Sequence, residues 1–433
     1  MKKSLLWIVV LLLSISMVAA FSFAGCKAAA PAEEEVVAEE EVAAEEEVAV
    51  EKPYAGKTVT VYSRYVSGPD WNKFVKAVED KTGIIVEGTP APEDITAKLT
   101  ALLAAGDSTF DIIHIDELLT AGFTRAGYLE PIDDVMTPEV AKLYPSGIIE
   151  NISTFDGKIY TVPTDLSPMF LFVNIKAFAD AGIEYPKTED EFMAAAKALT
   201  KNGMYGYGAS WAKGGFLYND AIRWMNSYDG DFYDWTKPGS KEALEKMYDF
   251  IYTDKITPQA VLGDSYDIMN QKIISGQYAM VWQWPYLAGV MADKFEKDFT
   301  IIPQPTFKTN KTIVAGWHLV LNKASNNKDA AKEVLKFWAS DEGQLLNVKY
   351  FEDKSCANAN VLNNPDVIKE FPILQYLGQY SEAGALVPRP ISAKATQIMD
   401  STESIISKYL TKQITIDQCI EEGQKELNTL LGK

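Results

Sequence analysis

Two spacings of apolar residues alternate along the first part of the chain body. Residues 57–62 switch between polar and β-branched apolar positions, the two-residue period of a strand. After Gly68-Pro69, the residues Trp71, Phe74, Val75 and Val78 recur at helical spacing, and Gly83 predicts the stop. Residues 84–86 read as a second strand. Ile95, Leu99, Leu102 and Leu103 mark a second helix, ended at Gly106. Residues 110–115 form a short apolar run, the mark of a strand covered on both faces. Strand, helix, strand, helix, strand predicts a parallel sheet with crossover helices. Farther on, Asp156-Gly157 marks a turn into a strand over 158–163, and 170–174 is another. Phe192, Ala195, Ala196 and Leu199 set a helix over 189–200. Leu244, Met247, Tyr248 and Ile251 form a helix face, as do Ala331, Val334, Leu335 and Trp338. Residues 278–282 and 313–321 read as strands, and the last 40 residues as two helices. Pro303 and Pro305 mark 303–312 as a crossing segment. Residues 203–239, rich in Gly, Trp, Tyr, Asn and Asp, show no usable period.

The first 52 residues follow other rules. Lys2 and Lys3 precede an apolar stretch over 5–21, and Phe23-Ala24-Gly25-Cys26 follows. A charged start, a short apolar run and small residues before a cut describe a secretory signal peptide. The cysteine at the cut resembles the lipobox of bacterial lipoproteins, with Phe23 where Leu is usual. Residues 1–25 are therefore expected to be removed and Cys26 to be the lipid attachment point. Two acyl chains hold a protein on a membrane where one does not. The other reading, an uncleaved anchor, has only 17 apolar residues to span with. Residues 26–52 are expected to be a disordered acidic tether. They are built almost wholly of Ala, Val, Glu and Pro, with glutamate triplets every six residues (33–35, 39–41, 45–47) and no face to bury. Like charges extend such a spacer to roughly 85 Å at full stretch.

The remaining 381 residues exceed what one core holds, so two lobes are expected. Residues 1–52 carry four Lys and ten Glu, −6 of the total −19, which leaves −13 for the body. An acidic body excludes nucleic acid and an anionic membrane surface as natural partners. The membrane is expected to be met through the lipid alone. Cys419 falls on a helical apolar stripe and Cys356 in a polar stretch, and two free thiols are expected rather than a disulfide. His114 and His318, the two histidines, lack metal-ligand spacing, so no metal and no cofactor are expected. There is no Gly-x-Ser-x-Gly elbow, no Walker A run and no His-Glu-x-x-His. Catalytic residues are not predicted, although a carboxylate pair of the glycosidase kind leaves no sequence mark.

Several segments, in order, resemble a known family. Phe110-Asp-Ile-Ile-His-Ile-Asp116 with Leu129-Glu-Pro-Ile-Asp133 is similar to the third strand and following run of extracellular solute-binding proteins of the ABC importer type. The carbohydrate-binding group that includes maltose-binding protein is the specific match. Asp156-Gly-Lys-Ile-Tyr-Thr-Val-Pro163, Ser275-Gly-Gln-Tyr-Ala-Met280, Ala315-Gly316, Lys323-Ala-Ser325 and Val387-Pro-Arg-Pro390 resemble further stretches of it. The resemblance implies an α/β, two-lobe periplasmic-binding-protein type II fold, each lobe a mainly parallel sheet flanked by helices. The N-terminal lobe is expected over 53–164 plus 306–360 and the C-terminal lobe over 165–305 plus 361–433, with crossings near 164–167, 303–307 and 358–366. It implies a monomeric receptor outside the cytoplasm, with a sugar or oligosaccharide between the lobes and an ABC permease as partner.

A sugar offers flat C–H faces and many hydroxyls, so its site needs aromatic platforms and charged or amide groups. Arg64 and Tyr65 end the first strand, and Asp116 and Glu117 the third; Asp116 reads equally as a helix N-cap. Trp282, Trp284 and Tyr286 cluster past a strand. One of the three is expected in the core, and Tyr286 stands where the family has a stacking Trp. Trp317 faces the cleft or the core on even terms. Trp211 is a candidate of the C-terminal lobe, Trp224 a structural residue. Arg389 reaches the cleft or pairs with a carboxylate. Asp165 joins Asp116 and Glu117 as a cleft carboxylate. These three keep open a second class of solute, a polyamine, a peptide or another polar molecule, and an extracytoplasmic glycosidase is a third reading.

Overall fold

The computed structural model describes residues 52–91, 96–144, 147–351 and 354–433. The segment expected to be a signal peptide, Cys26, and residues 27–51 of the expected tether lie outside the described residues. β1 (Thr58–Ser63), α1 (Trp71–Thr82), β2 (Ile85–Pro90), α2 (Thr96–Ala104) and β3 (Ile112–Asp116) follow the predicted order. α1 buries Trp71, Phe74 and Val78 along one stripe, and Gly83 closes it at φ 72°. That left-handed turn lets the Gly83 N–H donate to the Glu79 carbonyl. β1 pairs in parallel with β2 and β3, as crossover helices require.

Next come β4 (Leu129–Glu130), β5 (Thr161–Pro163), β6 (Ser167–Pro168), β7 (Phe170–Asn174), α3 (Glu189–Leu199), β8 (Tyr205–Gly208) and α4 (Phe216–Ser227). They are followed by α5 (Tyr266–Ile274), β9 (Tyr278–Gln283), β10 (Phe299–Ile302), β11 (Thr312–Ala315), β12 (Trp317–Asn322) and α6 (Lys328–Ala339). β13 (Leu386–Pro388), α7 (Ala395–Leu410) and α8 (Ile416–Leu431) complete the chain. The strands form a first sheet ordered β2-β1-β3-β12-β4 with β5 also on β12, a second ordered β8-β9-β7-β10, and a third ordered β13-β11-β6. The architecture is the two-part α/β fold of type II periplasmic binding proteins, with the third sheet linking the parts.

Parallel pairing holds within β2-β1-β3 and between β8 and β9. β12 is antiparallel to β3, β4 and β5, and β7 to β9 and β10. The sheets are thus mixed rather than mainly parallel. β12 enters the first sheet directly from β11, without a crossover helix, and nothing obliges it to run with β3.

The run 313–321, read as one strand, is two strands in two sheets with Gly316 between them. The predicted crossing at 303–307 stays beside the second sheet. Thr306 bridges Thr188, and the Phe307 ring packs on Phe192 and Trp224. The chain leaves the second sheet after Ile302, joins the third at Thr312, and passes from the third to the first at Gly316. Prolines blocked the strand reading at 303–305 without revealing which side the segment lies on. After α6, the Ala359 N–H still bonds the Leu143 carbonyl, whereas Tyr380 Oη bonds the Ile302 carbonyl of β10.

Each part has an aromatic centre. Trp71, Phe74, Trp338 and Phe351 pack beside the first sheet, and Phe192, Tyr207, Trp224, Phe250 and Trp282 beside the second. Cys356 and Cys419 are buried and unpaired, each thiol pushed up to about 12 by burial. No helix among the described residues is long and apolar enough to cross a membrane.

Candidate functional site

The candidate site is built where β3 ends and the third sheet begins. β12 pairs antiparallel with β3, which sets Trp317 opposite Asp116. The Glu117 N–H donates to the Gly316 carbonyl at 3.2 Å, and the Gly316 N–H donates back to Glu117 Oε2. Gly316 is required here. A Cβ would stand 2.7 Å from the Asp165 carbonyl oxygen, a backbone atom that cannot swing away. Asp165 lies fully buried on the approach to β6 and accepts from the Trp317 N–H at 2.9 Å and from Thr164 Oγ1 at 3.1 Å, with Ser167 Oγ on its other oxygen.

Arg389, one residue past β13 and 4% exposed, is the centre of the cluster. Its backbone N–H holds the Val314 carbonyl of β11 at 3.2 Å. Its Nη2 reaches Asp116 Oδ1 at 2.5 Å, its Nε Glu117 Oε1 at 3.0 Å and its Nη1 Asn219 Oδ1 on α4 at 3.2 Å. Asn219 donates onward to Tyr266 Oη at 3.2 Å. The Trp284 ring lies 5.9 Å from the Arg389 guanidinium, and the Arg64 guanidinium sits 4.5 Å over the Trp317 ring. Tyr286 Oη accepts from Asn270 at 3.0 Å.

Burial pushes the Glu117 carboxyl up to about 8, against the pull of Arg389 and the Gly316 N–H. Burial also opposes the charge on Arg389, yet Asp116 and Glu117 overcome it and raise its pKa. His318 is lowered to about 3, first by burial and then by Arg389, and His114 well below its usual value, first by burial and then by Arg64. Both imidazoles are therefore neutral, bonded to Thr161 and to Ser63 and Thr164. Among the described residues no cluster of three His, Cys, Asp or Glu side chains is placed to hold a metal ion. A cavity of about 10 Å³ lies between Glu117, Asp165, Gly316 and His318, room for a single water.

Of the residues predicted from sequence, Arg64, Asp116, Glu117, Asp165, Trp284, Trp317 and Arg389 come together. Asp116 is an N-cap as well, accepting from the Leu118 N–H at 2.9 Å. Arg389 takes the carboxylate-pairing course of its two. Tyr65 is buried and stacks on Phe351 at 4.1 Å, and it touches the cluster only at its edge, with the Arg64 guanidinium 5.4 Å from its ring. Trp211 is a core residue too, its Nε1 donating to Asp220 at 2.5 Å. Trp282 is the buried member of its trio, wedged against Trp224. Tyr286 is half-buried and bonds to Asn270 of α5 and Gln283 of β9. Asn219 and Tyr266 were missed. Asn219 lies in the stretch without usable period, and a lone Asn or Tyr carries no spacing signal. Arg223 was missed as well: buried, it sits 4.0 Å from both the Trp224 and Trp282 rings and pairs with Asp220 at 2.8 Å.

A depression of about 670 Å³ on the outer side of α8, lined by Lys241, Asp417, Glu421 and Lys425, contains none of these residues. The family model for bacterial extracellular solute-binding protein matches residues 63–345, well over half of the chain. This chain belongs to that family. The solute-binding protein therefore works outside the cytoplasm. It is 28% identical over 334 residues to a diacetylchitobiose-binding protein of Streptomyces coelicolor, covering 72% of this chain and 76% of that one. It is 25% identical over 244 residues to a probable amino-acid ABC transporter periplasmic-binding protein of Sinorhizobium fredii, covering 53% of this chain and 54% of that one. The chain thus spans about half the length of the second relative. Maltose-bound MalE3 of T. maritima superposes with a TM-score of 0.77 at 23% identity, over 86% of the solute-binding protein and 99% of MalE3. At that identity the likeness speaks to the fold.

Proposed function

We propose that this solute-binding protein is the receptor of an ABC importer for a sugar or oligosaccharide. The ligand lies between the two parts at the carboxyl ends of the strands, and closure presents it to a permease. The observation that carries the reading is the pairing of indole rings with neutralised charges at one junction. Trp284 and Trp317 stand beside guanidinium groups, and the carboxylates of Asp116, Glu117 and Asp165 are all engaged by partners within the chain. Flat rings suit C–H faces, and a charge-balanced wall suits a neutral polyol. It also weakens the cationic alternative, since a polyamine would have to displace Arg389 from two carboxylates. The diacetylchitobiose and maltose named for the two similar proteins are consistent with this solute class. The amino-acid name of the third keeps an amino acid as the rival.

The same proposal includes cleavage at Cys26, a diacyl anchor there, an extended tether and a monomer that turns nothing over. A thermal-shift screen with maltose, maltotriose, diacetylchitobiose, putrescine and a set of amino acids tests the ligand. A solute at about 100 times its Kd adds roughly 2.7 kcal/mol. A shift with an amino acid or putrescine and none with any saccharide rejects the sugar reading. Release of smaller saccharides over a long incubation rejects the receptor reading in favour of a glycosidase.

A further inference from the structure

We propose that Arg389 is a latch that biases the molecule toward its closed arrangement, by tying the end of β3 to α4 through one guanidinium. Each nitrogen of that group has a different partner. Nη2 and Nε hold Asp116 and Glu117 beside the first sheet, and Nη1 holds Asn219 on the helix that flanks the second. The side chain springs from the third sheet, where the Arg389 N–H is fixed to Val314, so its base stays on the hinge.

Both ends of the tie are held. Glu117 is fully buried and pinned by the Gly316 N–H at the passage between sheets. Asn219 is itself held by Tyr266. An opening motion that separates α4 from the end of β3 must break one arm. The arm to neutral Asn219 is weaker than the arm to Asp116, which is charge-assisted on both sides. The guanidinium then stays with Asp116 and Glu117, and Asn219 is the contact made and broken in each cycle. Lysine cannot replace this function, since a point charge on a flexible stem lacks the rigid fork that serves three acceptors.

The inference rests on the hinged-receptor reading, but its test uses no solute, so a failed sugar screen and a failed latch are separate results. Small-angle scattering is measured on the ligand-free full chain carrying Cys26→Ala, and on the same chain with Asn219→Ala or Arg389→Lys. The tether contributes equally to all three. The expected result is a larger radius of gyration in both variants, with a closed-to-open ratio reduced about tenfold, roughly 1.4 kcal/mol. Asn219→Ala leaves both ion pairs in place, so it decides the matter alone if Arg389→Lys does not fold. A scattering curve for Asn219→Ala that superposes on the parent overturns the latch.

Discussion

Trp211 and Trp284 look alike in sequence, each a tryptophan near a strand end, and the fold gives them opposite tasks. Trp211 is 1% exposed and donates to Asp220, which also holds Arg223. Trp211→Ala should cost about 3–5 kcal/mol, from the lost ring and from the buried carboxylate it strips of a donor. Urea unfolding reads that loss. Trp284→Ala and Trp317→Ala should leave the midpoint nearly unchanged and weaken maltose or diacetylchitobiose binding about fivefold each, near 1 kcal/mol per stacked face. Titration calorimetry distinguishes the two classes, and a Trp284 variant that binds normally removes that ring from the site. The histidines give a second prediction. His318 titrates at about 3 when folded and near 6.5 when unfolded, so the unfolded state binds the extra proton. Its stabilising effect is complete above pH 6.5 and is lost as the pH falls toward 3. At pH 5 the loss is about 2 kcal/mol. His318→Asn should flatten the fall in urea midpoint between pH 7 and pH 5; an equally steep fall in the variant contradicts the assignment.

The connection of β11 to β12 shows what an element boundary costs to read. Residues 313–321 have continuous strand chemistry, and one glycine breaks them into members of two sheets. The break is dictated by Asp165 and Glu117, which approach Gly316 from distant parts of the chain. Gly316→Ala should therefore be severe for so small a change. The new Cβ meets a carbonyl oxygen at 2.7 Å, and overpacking of this kind costs about 1–3 kcal/mol. Thermal unfolding of Gly316→Ala, set beside Gly263→Ala, where no atom lies within 4 Å of a Cβ, measures the difference. Helices were more legible than this junction. α1 and α6 were read from their stripes, because burial of one face requires a local 3.6-residue repeat. α4 escaped because nearly its whole circumference is covered, from Leu217 to Met225, so no polar face marks its period.

For the molecule as a whole, the anchor and the receptor body make separable claims. In cell fractionation the full chain should appear with membranes and carry labelled fatty acid, and Cys26→Ala should lose the label, with maltose or diacetylchitobiose affinity unchanged. A parent chain that sits on membranes without fatty-acid label would point to the uncleaved apolar stretch instead.

Local chemistry alone determined β1 to β3, β7 and β9, helices α1, α2, α3, α6, α7 and α8, and the need for more than one core. Each depends on neighbours a few positions away, through strand alternation, helical spacing or a terminating glycine. Only the tertiary structure decided that Tyr65 and Trp211 belong to the core, that the chain crosses at Gly316, and that Arg389 meets Asp116, Glu117 and Asn219. Those outcomes depend on contacts between residues as much as 273 positions apart. Burial and pairing at such distances are set by how the sheets pack, and the order of residues along the chain does not display them.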